Sequence, residues 1–208
     1  MKSVLIGLCI TIAGIAALML LPSKQAPAPM PWEVTIMADG NSKVFDIHLG
    51  ITTYREAQQQ LRQYGKTAIF TREGDVPSVE AFFQSINLGG LSAKLILNLA
   101  VDEDKITEML SHAMEARIQP SGARRYQLNN FSNTSLIKAP ITAISYIPSI
   151  RLNEEQIRYR FGDPEVMEQD TENANTSLWH YPRLGLLIRL NEHEKTILEY
   201  SMKTLSSH

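Results

Sequence analysis

The stretch whose reading decides the fold runs from Arg151 to Val166, RLNEEQIRYRFGDPEV, and continues after a polar loop as SLWHYPRLGLLIRLNEHEKTILEYS at 177–201. Asn153 is a good helix N-cap, and Gln156 stands three places on, where a capping-box partner belongs. Gly162 can take the left-handed conformation that ends a helix, and Pro164 forbids its continuation. Three strands are expected next, at 178–181, 186–190 and 196–202, divided by the turns at 182–185 and 191–195. The reading is one short helix followed by an antiparallel meander.

The same order occurs earlier in the chain. Residues 22–31 (PSKQAPAPMP) carry four prolines and form an extended spacer. Residues 32–39 and 43–50 read as strands around the turn Gly40-Asn41. Thr53 and Glu56 make a capping box for a helix over 54–63, with Ala57, Leu61 and Tyr64 as its apolar stripe and Gly65 as its end. Strands follow at 67–71, 79–86 and 93–101. A helix from 102–104 to about Ile118 has Ile106, Met109, Leu110 and Ala113 on one face, and Pro120-Ser121-Gly122 breaks it. Strands at 124–128, 135–138 and 141–147 lead back to the helix at Asn153. Strands, a capped helix and three strands thus appear twice, at a spacing of about 97 residues, as a repeat of pattern and not of sequence. The expected fold class is α+β: two tandem units, 32–120 and 121–208, each a short helix on an antiparallel β-meander. A single continuous α+β domain is the rival reading.

A family resemblance sits on the second unit. The capped helix ending in Phe161-Gly162-Asp163-Pro164, the polar loop, Thr176-Ser177-Leu178-Trp179-His180-Tyr181 and two closing strands resemble the small lipoprotein subunit of the outer-membrane β-barrel assembly machinery (BamE/SmpA). The wider fold group includes the tandem-repeat β-lactamase inhibitor proteins, which the doubled pattern suits better. The resemblance covers about a quarter of the chain. It implies a helix-on-meander fold and a protein-binding role in the cell envelope.

The N-terminus departs from that family. Residues 4–21 are eighteen residues without a charge, after Met1-Lys2. A helix of that length spans ~27 Å, close to the ~30 Å hydrocarbon core, and it exceeds the ~7–15 residues of a secretory h-region. Ala26-Pro27-Ala28 is a poor cleavage site because prolines crowd it. Cys9, the only cysteine, lies inside the apolar run without the small residues that precede a lipidated cysteine, and it excludes an intramolecular disulfide. Residues 1–21 are therefore expected to be an uncleaved single-pass anchor in the inner membrane, with the remainder on the periplasmic side. That remainder holds 19 basic and 22 acidic residues with no basic stripe, which argues against a nucleic-acid partner.

No catalytic pattern emerges. His193-Glu194 begins like a zinc-protease helix, but Ile197 stands where the second histidine belongs. Asp102-Glu103-Asp104 suits the positive end of a helix dipole better than a cation. The nucleophile elbow, the phosphate loop and the dinucleotide fingerprint are all missing. No catalytic residue, metal site or cofactor is expected. A hydrolase whose residues meet only in space stays open as an alternative, as does an inhibitor of an extracytoplasmic enzyme.

What remains is surface. In a sheet with helices on one face, alternate side chains point away from the helices. Val79, Ala81 and Phe83 suit the covered face, which turns Glu80, Phe82 and Gln84 outward. Trp179 and Tyr181 suit the covered face of the second unit, leaving His180, Arg189 and Glu199 outward. Phe82, His180, Arg189 and Glu199 are the candidate contacts for another envelope protein, and Trp179 is expected in the core.

Overall fold

The computed structural model describes residues 29–203 apart from 89, 114–115, 129–133 and 172. Over these the chain is mixed α+β, with short helices on a large antiparallel sheet. A three-stranded sheet comprises β1 (Thr35–Ile36), β2 (Ser42–Val44) and β3 (Ile47–His48). Next come α1 (Tyr54–Leu61), β4 (Lys66–Thr71), β5 (Ser78–Leu88), β6 (Leu91–Leu99) and α2 (Glu103–Ser111). The hairpin β7 (Arg117–Ile118) and β8 (Arg124–Gln127) precedes β9 (Ile141–Pro148) and α3 (Glu154–Phe161). The chain closes with β10 (Val166–Gln169), β11 (Thr176–Tyr181), β12 (Leu186–Asn191) and β13 (Ile197–Ser201). Strands β4 to β13 form one ten-stranded sheet in the order β10-β11-β12-β13-β9-β6-β5-β4-β8-β7.

The two capping boxes form. The Thr53 and Asn153 side chains accept from the backbone N–H of Glu56 and Gln156, whose side chains accept in return from the capping residues' own N–H groups. Each helix is only eight residues long, too short to persist alone, so the buried Tyr54, Ala57 and Ile157 hold it to the sheet. Those residues, with Ile106 and Met109 of α2, share one core with the inward side chains of the sheet, among them Phe83, Leu95, Leu97, Ile144, Trp179, Ile188 and Leu198.

Several local expectations give way to tertiary structure. α1 stops at Leu61 because Arg62 takes a left-handed conformation (φ 52°), so Gly65 does not cap it and Tyr64 is 87% exposed. Gly65 serves packing instead: a Cβ there would lie 2.8 Å from the Phe83 ring. The strand expected at 43–50 folds into a hairpin because Phe45 and Asp46 both have positive φ, as a two-residue turn of this hand requires. Burial between Tyr146 and Tyr200 holds Phe45 in that conformation. The strand expected at 32–39 shrinks to Thr35–Ile36.

α2 ends at Ser111, not near Ile118, and Arg117–Ile118 instead pair with β8. Residues 135–138 are not a strand. Residues 134–136 make a helical turn, and the Ile137 and Ala139 carbonyls accept from the Arg55 and Tyr54 N–H groups, two of the donors that open α1. β10 lies in the segment read as a polar loop. The β7–β8 hairpin spans the position expected as the boundary between units, and β8 pairs with β4.

β9 joins the two meanders at the centre of the sheet, paired with β6 on one side and β13 on the other. The N-terminal segment packs on the second half: Ser42 donates to the Leu184 carbonyl, and the Tyr200 hydroxyl donates to the Pro31 carbonyl. Among the described residues no helix is long and apolar enough to cross a membrane. The anchor expected at 1–21 and the spacer up to 28 lie outside the described residues.

Candidate functional site

The helices cover one face of the ten-stranded sheet, and among the described residues none covers the other. Strand alternation settles which side chains reach it. One cross-strand row runs Val166, His180, Leu187, Glu199, Ser145, Ile96, Phe82, Lys66 through eight strands. A second row includes Glu168, Leu178, Arg189 and Ile197, and on β9 and β6 the pair Ile147 and Lys94. A third holds Ser201, Ala143, Asn98, Glu80, Ala68 and Gln127. At ~4.8 Å between strands and ~6.8 Å between rows, these cover roughly 700 Å². A standard protein interface takes ~800 Å² from each partner.

Phe82, His180, Arg189 and Glu199 all lie on this open face. Glu199 is three strands from Phe82, or about 14 Å, and two from His180, or about 10 Å. Trp179, by contrast, is fully buried under α3, with the Arg158 guanidinium 4.6 Å above its ring. The alternation along β5 slips at Gln84-Ser85, where two residues face Lys94, so the inward set passes from Phe83 to Ile86.

The charged residues of the second half are interlocked. Arg189 Nε donates to Glu199 Oε2 at 3.1 Å, and its Nη1 donates to Asp170 Oδ2 at 3.1 Å. His180 Nε2 lies 2.9 Å from Glu168 Oε1. A guanidinium held by two carboxylates presents a fixed pattern instead of a free cation. Leu178, Leu187 and Ile197 fill the gaps between these groups and are half-buried. The first half is more apolar, with Phe82, Phe70 and Ile96 half-buried around Glu80. Burial pushes the Glu80 carboxyl above the ordinary range, countered in part by the Ser78 hydroxyl.

Sequence reasoning missed Asp170 and Glu168 because both sit in or beside the unrecognised β10. It also missed Leu187, Leu178 and Ile197, whose outward register follows once the pairing of β11, β12 and β13 is known. Among the described residues no three or more His, Cys, Asp or Glu side chains gather closely enough to hold a metal ion. No family model, curated protein or solved structure matches the chain.

Proposed function

We propose that this is a membrane-anchored, extracytoplasmic protein-binding module that docks another envelope protein through the open face of its sheet. The observation that carries this reading is the face itself: each of eight strands brings an apolar side chain to it (Val166, Leu178, Leu187, Ile197, Ile147, Ile96, Phe82 and Phe70), set around a locked Asp170–Arg189–Glu199 cluster. Isolated exposed apolar residues are ordinary, but a contiguous field of them marks an interaction surface. Aromatic and arginine side chains dominate interface energetics, and the face holds Phe82, Phe70 and Arg189.

Residues 4–21 serve as the inner-membrane anchor and the Pro-rich segment after them as a spacer into the periplasm. The recurrence of a capped helix and an antiparallel meander supports two tandem units. The resemblance of the second to the small lipoprotein subunit of the β-barrel assembly machinery supports an accessory role in envelope assembly. Affinity capture of the full chain from crosslinked envelopes tests this reading, run with wild type, Phe82→Ala and Arg189→Glu. Wild type retains an envelope-assembly partner and the two variants lose it. Retention of one dominant hydrolase would make the protein an inhibitor, and equal retention by all three would take the open face out of the function.

A further inference from the structure

A notch lies on the helical side, away from the open sheet face. Arg55, Gln58 and Gln59 of α1 and Arg62 at its C-terminal cap fall at helical spacing and, with Tyr64 and Ile137, line this notch of about 450 Å³, with no carboxylate among its described lining residues. Neither guanidinium takes part in an ion pair with a described residue.

Both arginines stand where local physics disfavours them. Arg55 is in the first turn of α1, at the positive end of the helix dipole, where an acid belongs. Arg62 ends the helix in the left-handed region at φ 52°, which Gly or Asn adopts at less cost. Positions that break a local rule without a compensating internal contact mark functional sites.

We infer that this notch binds an acidic peptide segment of a protein partner. The two arginines are seven residues apart, so their Cα atoms are about 10.5 Å apart along the axis. The exposed Gln59 amide lies between them as a further donor, beside Gln58, whose side chain bonds the Tyr54 hydroxyl. Such a row matches carboxylates about three residues apart on a chain in the polyproline II conformation, which rises ~3.1 Å per residue and returns to the same face every third residue. A single phosphate group would need the charges to converge. Guanidinium–carboxylate pairing can be bidentate, and the exposed Tyr64 ring offers a flat apolar surface for the segment's apolar atoms.

The test uses the full chain in detergent micelles and a fluorescein-labelled twelve-residue peptide with Glu at every third position. Its Gln counterpart and phosphatidylglycerol vesicles are the comparisons. Anisotropy should show salt-sensitive binding of the Glu peptide, at least tenfold tighter than the Gln peptide. Arg55→Gln and Arg62→Asn should each weaken it fivefold or more. Arg62→Asn should also raise the melting temperature, because it relaxes the backbone while removing the ligand contact; a merely structural arginine would not separate the two readouts. The proposal is overturned if the Glu peptide fails to bind, binds no better than the Gln peptide, or binds the variants as well as wild type. Vesicle binding that needs both arginines, with the Glu peptide ignored, would overturn it in favour of a lipid headgroup.

Discussion

Replacing Trp179 by alanine separates the two faces of the sheet by the kind of loss each produces. The indole is completely enclosed, paired across the sheet with Ile188 on one side and Met167 on the other. Truncating a large buried aromatic costs ~3–5 kcal/mol. The indole N–H has no hydrogen-bond partner among the described protein atoms, and releasing that group returns about 1 kcal/mol. The Arg158 guanidinium over the ring contributes about 0.5–1 kcal/mol, which is lost with the indole. The net expectation is about 2.5–5 kcal/mol, a large share of the ~5–15 kcal/mol of a whole domain. At 2–4 °C per kcal/mol for a chain of this size, the melting temperature should fall by about 10 °C. Phe82→Ala, on the open face, should cost only about 0.5–1 kcal/mol and lower the melting temperature by ~4 °C or less. Arg189→Glu sets a third carboxylate between Asp170 and Glu199 and should cost about 1–3 kcal/mol. Thermal melts followed by circular dichroism give all three values. A Trp179→Ala melt within 3 °C of wild type, or a Phe82→Ala melt as low as that of Trp179→Ala, would refute the assignment of faces.

Other consequences follow from individual contacts. Gly65→Ala places a methyl 2.8 Å from the Phe83 ring and 3.1 Å from the Tyr54 hydroxyl, so it should destabilise by ~1–3 kcal/mol, read by urea unfolding. Because the Glu80 carboxyl is raised in the fold, its contribution is fully present below the unfolded carboxyl range and is lost as pH rises through the folded value. Glu80→Gln should therefore stabilise the protein at pH 7, with the gain vanishing towards pH 4 in melts across that range. Burial raises the Tyr200 phenol well above 10 and the Tyr146 and Tyr181 phenols to about 12, so stability should fall as pH climbs from 10. Tyr200→Phe should cost about 1 kcal/mol by losing the bond to the Pro31 carbonyl, more than Tyr146→Phe, whose hydroxyl has no partner among the described protein atoms.

Alternation and caps made much of the sheet readable from sequence. Thr53/Glu56 and Asn153/Gln156 are local interactions, so the starts of α1 and α3 could be read residue by residue. The outward positions Phe82, His180, Arg189 and Glu199 followed from the two-residue period of strands. What stayed hidden depends on partners distant in sequence. Arg117–Ile118 become a strand only because β8 is there to pair with them. Val166–Gln169 are exposed at every position, so β10 carries no burial signal, and with it Glu168 and Asp170 were lost from the site. Arg62 adopts a glycine-like conformation that its residue type does not announce. The joining of both meanders through β9 leaves no local trace, because a cross-sheet pairing such as Leu97 with Ile144 has no sequence signature.

Site-specific photocrosslinking in living cells tests docking on the open face most directly. A photoreactive side chain is placed at Leu187 or Ile96 on the open face, and at Glu155 of α3 or Glu108 of α2 on the helical side. The full chain keeps its N-terminal segment. Irradiation should yield a discrete protein adduct from positions 187 and 96 that disappears when Arg189→Glu or Phe82→Ala is added. Adducts confined to positions 155 or 108, or adducts at 187 and 96 that persist with both substitutions, would contradict docking through the open face of the sheet.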